Sequence, residues 1–162
     1  MGKEHMITIK KMESDSEKKG KAYVHWKSWQ EAYQGIVDGD YLDNLTLSQC
    51  EEWAFKWPEN TYVALDGDRV VGFVCFFGNL ENEEEAEINS IYVLSDYYGK
   101  GVAQKLMDLA LAELKDYPVK VLWVLKDNVR AISFYKKYGF SEDGTKDYLE
   151  GLKAFQIKMV RR

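Results

Sequence analysis

The sequence has little of what builds metal centres, disulfide frameworks and nucleophilic triads. Its 162 residues include two histidines, two cysteines and two prolines. Cys50 and Cys75 lie far apart without ligand-like neighbours, so we expect reduced, structural thiols. Because the histidines are His5 and His25, the composition argues against a histidine metal site or a catalytic triad. We therefore expect no bound metal.

Long runs of one residue class are also missing. No apolar stretch has membrane-spanning length and no signal peptide is recognisable, so we expect a cytoplasmic protein without a membrane partner. Basic runs are short and the net charge is −5, which argues against nucleic acid as the main partner. A content of 46% hydrophobic and 30% charged residues is typical of a globular chain, and the length predicts one domain over residues 1–162.

Hydrophobic periodicity predicts an α+β chain, with a three-layer arrangement around a mixed central sheet. The predicted strands fall at 6–12, 61–65, 70–77, 86–93, 119–125, 142–148 and 152–160. Four helices are predicted at 22–32, 46–57, 102–115 and 128–138, with a further helix start at 14–20 and a turn at 35–40. We expect the strands at 86–93 and 119–125 to form a right-handed, parallel βαβ unit at the centre of the sheet.

A short turn with Gly99, Lys100 and Gly101 links the strand at 86–93 to the next helix. The first amides of a helix have no partner within the helix, and the helix dipole adds partial positive charge there. The glycines allow a ligand to approach the backbone closely, and Lys100 adds a full positive charge. The turn therefore predicts a cradle for a diphosphate. A plain strand-to-helix turn is the alternative, since the loop is neither a Walker motif nor a full dinucleotide fingerprint.

A second motif follows downstream. Asn128, Ala131 and Tyr135 are three and four residues apart, so they share one helix face. With the glycine loop, the pattern Asn-x-x-Ala-x-x-Phe-Tyr-x-x-x-Gly-Phe at 128–140 resembles the GNAT superfamily of acyl-CoA-dependent N-acetyltransferases. The predicted element order resembles that family over nearly the whole chain. The resemblance implies an acyltransferase that uses acetyl-CoA to acetylate a primary amine.

The resemblance also implies which residues hold coenzyme A. In that family the loop amides bind the diphosphate and the end of the preceding strand pairs with the pantetheine arm. The Asn128 position contacts that arm, and the Tyr135 hydroxyl lies near the thioester sulfur. The family usually has Gln or Arg where this chain has Tyr98, so only the backbone cradle is implied there. The implied cofactor-binding residues are Ile91, Tyr92, Val93, Tyr98, Gly99, Lys100, Gly101, Val102, Ala103, Gln104, Asn128, Ala131, Phe134 and Tyr135.

Amine acetylation needs a base, because a free alkyl amine has a pKa of roughly 10. Alternation along 86–93 predicts that Glu87, Asn89, Ile91 and Val93 share one face of the strand. We predict Glu87 as the base, directly or through water, and Tyr135 as the donor to the leaving thiolate. A carboxylate at an exposed strand end and a packing tyrosine are the alternatives. The resemblance implies that the Val93 amide stabilises the developing oxyanion.

The acceptor is the least determined part of the prediction. We predict substrate-binding roles for Trp29, Tyr33, Glu87 and Asn89, although the aromatic stripe that includes Trp26 equally suits the core. The glutamates of the segment 81–87 either attract a cationic amine or form a solvated loop. The segment 29–35 resembles the start of some bacterial members described broadly as amine or polyamine acetyltransferases. The acceptor is therefore open among small molecules, polyamines and peptides.

Direct attack within a ternary complex is the expected reaction, because Cys75 lies in a strand away from the motifs. A non-catalytic acyl-CoA-binding or interaction module is the first alternative. A nucleotide-binding protein that uses the same loop is the second. In the resembled superfamily the two last strands often carry a dimer contact, so a homodimer is a further expectation.

Overall fold

The computed structural model describes residues 6–162, so His5 lies outside the described residues. Seven strands form one sheet: β1 Ile7–Lys11, β2 Thr61–Asp66, β3 Arg69–Gly78, β4 Glu85–Val93, β5 Val119–Leu125, β6 Ser141–Leu149 and β7 Ala154–Arg161. Their order across the sheet is β1-β2-β3-β4-β5-β7-β6. Neighbours are antiparallel except β4 and β5, which are parallel. The predicted α+β class and the central parallel pair are confirmed.

The helices are α1 Asp15–Ala32, α2 Gly39–Asn44, α3 Leu47–Lys56, α4 Val102–Glu113 and α5 Val129–Lys137, with a 3₁₀ turn at Ser95–Tyr97. Four of them match predicted segments, whereas α2 lies partly in the predicted turn at 35–40. This short helix has no side-chain cap at its start and is anchored by Leu42, which is 1% exposed. Burial of one leucine, rather than a periodic pattern, stabilises α2, so no hydrophobic periodicity predicts this helix.

Helix α1 begins earlier than the predicted segment 22–32. Ser14 and Glu17 form a capping box, in which the Ser14 hydroxyl accepts from the Glu17 amide at 3.1 Å. The helix continues through Gly20, where it packs closely on the sheet and leaves no room for a side chain. A Cβ at Gly20 would lie 2.5 Å from Cγ2 of Val70. The glycine that resembles a helix breaker in the sequence is therefore a contact point with β3.

The helices cover both faces of the sheet. On one face, the Phe73 ring contacts α1, where the centroid of the His25 ring lies 6.4 Å away. On the other face, a Cβ at Gly72 would lie 3.2 Å from Cδ1 of Leu106 in α4. Helix α5 lies beside α4, since the Tyr138 hydroxyl donates to the Gln104 carbonyl at 3.3 Å. This is the predicted three-layer arrangement. Across residues 6–162, no helix combines the length and the apolar character that crossing a membrane requires.

Candidate active site

The parallel strands β4 and β5 separate and leave a wedge between them. They pair at three positions, from Glu85 opposite Val119 to Glu87 opposite Val121. Beyond these positions β4 continues along β3, whereas β5 pairs with β7. A cleft of about 550 Å³ lies in the wedge and extends along the glycine loop and α5. A volume of this size is typical of small-molecule and cofactor sites.

A bulge in β4 sets which side chains enter this region. Ser90 pairs with Cys75 and Ile88 pairs with the next residue of β3, Phe76, so Asn89 is an extra residue. Directly opposed residues of neighbouring strands point to the same face of the sheet. Ser90 and Ile88 consequently point to opposite faces, although they are two positions apart along β4 and would share a face in a regular strand.

The bulge overturns the predicted alternation. Glu87 pairs with Phe77 and therefore points to the α1 face, together with Tyr92, which pairs with Phe73. Ile91 and Val93 point to the opposite face. The prediction that Glu87 shares a face with Ile91 and Val93 is wrong, because an inserted residue shifts the two-residue period by one position.

The backbone of β4 presents free polar groups to the wedge. The Leu94 amide donates to the Val71 carbonyl at 2.9 Å, which marks one hydrogen-bonded pair of the β3–β4 ladder. Such pairs alternate with non-bonded pairs along an antiparallel ladder. Counting back from Leu94, Val93 and Ile91 occupy the non-bonded positions of this alternation. Their N–H and C=O groups therefore point away from β3, to the side on which no described strand pairs with them. These groups are available to an extended ligand.

The glycine loop is open at the wedge. Gly99 and Gly101 have φ angles of 76° and 79°, which strongly favour glycine. A Cβ at either position would meet nothing within 4 Å, so the space in front of the loop is free. Gly101 is also the N-cap of α4, and no side chain caps this helix. The first amides of α4, at Val102 and the two residues after it, are therefore left for an anionic ligand.

The loop is held in place from behind by the β2–β3 hairpin. The buried Tyr97 donates its hydroxyl hydrogen to the Asp66 carboxylate, and Arg69 makes an ion pair with Asp96 at 3.2 Å. The Lys100 ammonium lies 5.0 Å from the centroid of the Tyr97 ring. Lys100 is the one predicted site residue that does not line the cleft. Its charge therefore lies on the outer side of the loop.

Arg130 provides a positive charge on the inner side. Its guanidinium carbon lies 3.3 Å from the centroid of the Tyr98 ring, and both residues line the cleft. The ring holds the guanidinium by a cation–π contact next to the glycine loop. Arg130 was not predicted as a site residue, because it occupies a variable position of the Asn-x-x-Ala motif. The sequence feature that could have identified Arg130 as a site residue is its position in the first turn of α5.

Helix α5 supplies the wall opposite the glycine loop. The Asn128 side-chain oxygen caps the helix by accepting from the Ala131 amide at 3.3 Å. This contact uses the oxygen and leaves the side-chain N–H donors available to a ligand. Ala131, Phe134 and Tyr135 follow along the same wall of the cleft. Gly139 follows the helix with a φ of 88°, a left-handed conformation that favours glycine after a helix end.

Three tyrosines meet at the inner part of the cleft. The hydroxyls of Tyr33 and Tyr92 lie 2.9 Å apart. Burial, together with the neighbouring Tyr92, raises the pKa of Tyr135 well above its ordinary value. Burial likewise raises the pKa of Tyr33, with Tyr92 as the next cause. Tyr135 and Tyr33 therefore keep their protons at neutral pH, so their hydroxyls can donate hydrogen bonds but do not serve as bases.

Glu87 lines the cleft and is half-buried. Its Oε2 accepts a hydrogen bond from the side-chain Nδ2 of Asn89 at 3.1 Å, which orients the carboxylate. The neighbouring glutamates at 81, 83 and 84 are exposed. Of the acidic segment, Glu87 alone is among the described residues that line the cleft.

The structure brings most predicted residues to one cleft. Those that line it are Trp29, Tyr33, Glu87, Asn89, Ile91, Tyr92, Val93, Tyr98, Gly99, Gly101, Val102, Ala103, Gln104, Asn128, Ala131, Phe134 and Tyr135. Trp26, from the same aromatic stripe, packs against α3 and donates to the Leu45 carbonyl at 3.1 Å. Lining residues that were not predicted include Ser28, Ser90, Trp123 and Gln156. Among the described residues, no group of His, Cys, Asp and Glu suits a metal ion.

Comparisons with known proteins agree with this geometry. Residues 23–140 match the family model described as the acetyltransferase (GNAT) family. An uncharacterised N-acetyltransferase of Methanocaldococcus jannaschii is 33% identical over 121 residues, which cover 68% of this chain and 50% of that protein. N-alpha-acetyltransferase 30 of Schizosaccharomyces pombe is 33% identical over 127 residues, which cover 75% of this chain and 85% of that protein.

A solved structure has the same fold over nearly the full length. It is the PaiA N-acetyltransferase of Thermoplasma acidophilum in complex with coenzyme A, with a TM-score of 0.76 and 21% identity. The superposition covers 97% of this chain and 99% of that one. Relatives come from organisms as distant as Bacillus subtilis and Schizosaccharomyces pombe, so the similarity does not establish a bacterial origin.

Proposed function

The chain belongs to the GNAT family of acetyltransferases, and on this premise we propose that it acetylates a primary amine by direct attack on bound acetyl-CoA. It is an acyltransferase, and acetyl-CoA is the acyl donor of its family. The observation that carries the proposal is the wedge between β4 and β5, which runs from an open glycine loop to the half-buried Tyr135. This shape suits a long ligand with a phosphate group at one end and a thioester at the other.

Backbone groups hold the cofactor in this proposal. The first amides of α4, from Val102 onward, bind the diphosphate, and the Arg130 guanidinium adds a full charge beside it. The free backbone groups of Ile91 and Val93 pair with the pantetheine arm. Asn128 contacts the arm from the opposite wall. When bound, acetyl-CoA supplies an activated acyl group that an amine can accept.

The transfer exchanges one bond for another. The amine nitrogen forms a bond to the acyl carbon, the carbon–sulfur bond breaks, and coenzyme A leaves as the thiol. We propose that Glu87, directly or through water, takes the proton that the amine loses, and that Tyr135 donates a hydrogen bond or proton to the leaving sulfur. The Val93 amide, which faces the wedge, stabilises the negative charge on the acyl oxygen.

The acceptor end of the site lies at the meeting of α1, β4 and the β6–β7 hairpin. Trp29, Tyr33, Leu149 and Leu152 line the cleft there. The Asp38 amide donates to the Leu152 carbonyl at 2.7 Å, so the segment after α1 and the hairpin close this end together. We propose that a small amine enters between them.

A panel assay of thiol release from acetyl-CoA tests the proposal. The panel contains amino acids, polyamines, aminoglycosides and peptides, and at least one class is expected to accelerate release. Mass spectrometry of the product should show one added acetyl group. Mass spectrometry of the protein after turnover should show no acetyl group on Cys50 or Cys75. Tight coenzyme A binding without turnover for any amine would instead support the non-catalytic module.

We propose a cytoplasmic location, as the sequence predicts. We also propose that the protein forms a homodimer through β6. β6 is an edge strand whose residues 141–148 are all exposed. Edge strands present unpaired backbone groups that favour pairing with another strand. Sedimentation velocity at micromolar concentration should show a dimer, and a monomer at every concentration would contradict this assembly.

A further inference from the structure

A second cavity, of about 410 Å³, lies on the α1 face of the sheet. Helices α1 and α3 cover it, and β3 and β4 form its floor. It shares Trp29, Asn89, Ser90 and Tyr92 with the cleft described above. Because the bulge at Asn89 lies between the two spaces, a ligand in the second cavity can extend an end toward the thioester position.

Lys21 places a positive charge in this cavity. Its ammonium lies 4.8 Å from the centroid of the Phe73 ring, and both residues line the space. Burial lowers the pKa of Lys21, and the acidic groups that oppose this effect are the thiols of Cys75 and Cys50. No carboxylate of the described chain makes an ion pair with Lys21. A half-buried cation without an anion is costly, so the arrangement favours an anionic ligand.

The neighbouring His25 adds no charge. Burial, and then the nearby Lys21, lowers its pKa to about 4, so the imidazole is neutral at pH 7. Its buried Nδ1 has no hydrogen-bond partner within residues 6–162. The imidazole lies against the Tyr92 ring, with centroids 6.3 Å apart and planes at 11°. The cavity wall thus combines the Lys21 cation with an unpaired polar atom of a neutral ring. The exposed Glu59 also lines the cavity and makes no ion pair with Lys21.

Aromatic rings form much of the remaining wall. Trp29, Trp53 and Phe73 line the inner part. Trp57 and Phe77 also line the cavity and are 57% and 36% exposed, which is high for large hydrophobic side chains. Rings that stay exposed around a cavity favour a ligand with an apolar or aromatic body.

We infer that this cavity binds the acceptor's carboxylate, and that the acceptor is an amine of the amino-acid type with an apolar or aromatic side chain. The inference rests on the proposed function, since the same transfer takes place at the same cleft. The Lys21 ammonium pairs with the carboxylate, the rings contact the side chain, and the amine lies at the bulge near Asn89. A polyamine fits less well, because a second cation would lie near Lys21.

Matched acceptors test the inference. Phenylalanine and phenethylamine differ only in the carboxylate, and spermidine represents the polyamines. We expect wild-type kcat/KM to be about tenfold or more higher for phenylalanine than for phenethylamine. Lys21→Met is expected to reduce this preference by about the same factor. Lys19→Met, at an exposed lysine of the same helix, should leave the preference and the rates unchanged.

A binding measurement separates the inference from the proposed function. 3-Phenylpropionate carries the carboxylate and the ring but no amine, and it should raise the melting temperature of the wild type and of Lys19→Met but not of Lys21→Met. If this stabilisation appears while no amine releases thiol, the proposed function fails and the anion site stands. If amines are acetylated without preference for the carboxylate, or if Lys21→Met keeps the wild-type preference, the inference is overturned and the proposed function stands.

Discussion

The hydroxyl oxygens of Tyr33 and Tyr92 lie 2.9 Å apart, and their contact joins the end of α1 to β4 at the inner part of the cleft. The two rings are nearly perpendicular, at 73°, with centroids 6.4 Å apart. Tyr92 also contributes to the raised pKa of Tyr135. One half-buried tyrosine of β4 therefore links the helix on one face of the sheet to the proposed proton donor on α5.

Tyr135→Phe should lower kcat by about tenfold to a hundredfold while KM for acetyl-CoA changes little. The ring remains and only the donor to the leaving sulfur is lost. Tyr148→Phe is the matched control, since Tyr148 is 46% exposed and does not line the cleft. Steady-state kinetics of thiol release measure both variants.

The pH profile adds a check on Tyr135. The wild-type rate should rise with pH as the amine loses its proton. Because burial raises the pKa of Tyr135 above its ordinary value of about 10, the rate should show no falling limb from Tyr135 below about pH 10. An unchanged kcat in Tyr135→Phe would reduce this residue to a packing role.

Gly101→Ala should raise KM for acetyl-CoA, because the methyl group occupies the space through which the diphosphate approaches. Gly67→Ala is the matched control: Gly67 has a φ of 61°, a Cβ there also meets nothing within 4 Å, and the residue is absent from the cleft lining. Each variant should lose about 1 kcal/mol of stability from the left-handed backbone. Equal KM values for the two folded variants would contradict the cradle.

Arg130→Met should weaken coenzyme A binding by about fivefold to twentyfold and reduce its dependence on salt. Tyr98→Ala should act in the same direction, because the ring holds the guanidinium in place. Calorimetric titration of the single and double variants should show that the two effects are not additive. Additive effects would mean that Tyr98 and Arg130 act independently, and no effect of either would exclude both from the cofactor site.

The half-buried His25, whose Nδ1 is buried, should make the fold sensitive to mild acid. Its pKa is lowered from 6.5 to about 4, so the unfolded chain binds the proton first and the native state loses stability as pH falls from 6.5 toward 4. The loss contributed by this one group amounts to about 3 kcal/mol at the lower end. Thermal melts of wild type and His25→Gln across this range should converge as pH falls. Parallel curves would show that the imidazole does not titrate differently on folding.

Regular elements were predictable because their signals are local. The apolar segment at 119–125 became β5 with the same bounds, and the helix predicted at 128–138 became α5 at Val129–Lys137. The glycine loop and the face shared by Asn128, Ala131 and Tyr135 also depend on neighbouring residues. Local periodicity therefore predicted most of the fold, whereas the resemblance to the GNAT superfamily supplied most of the predicted residues that line the cleft.

The features that sequence reasoning missed depend on contacts between distant segments. The bulge at Asn89 exists only in the pairing of β4 with β3, and it moved Glu87 to the other face. The contact of Arg130 with Tyr98 joins α5 to the glycine loop. The cavity around Lys21 forms where α1 and α3 meet the sheet. None of these arrangements has a periodic or spacing signal along the chain.

A crystal structure of the protein with coenzyme A is the most direct measurement of the central claim. We expect the diphosphate at the amides of Val102, Ala103 and Gln104, the pantetheine arm beside Ile91 and Val93 in the wedge, and the sulfur within hydrogen-bonding reach of the Tyr135 hydroxyl. Coenzyme A bound elsewhere, or a wedge filled by the protein's own side chains, would contradict the account.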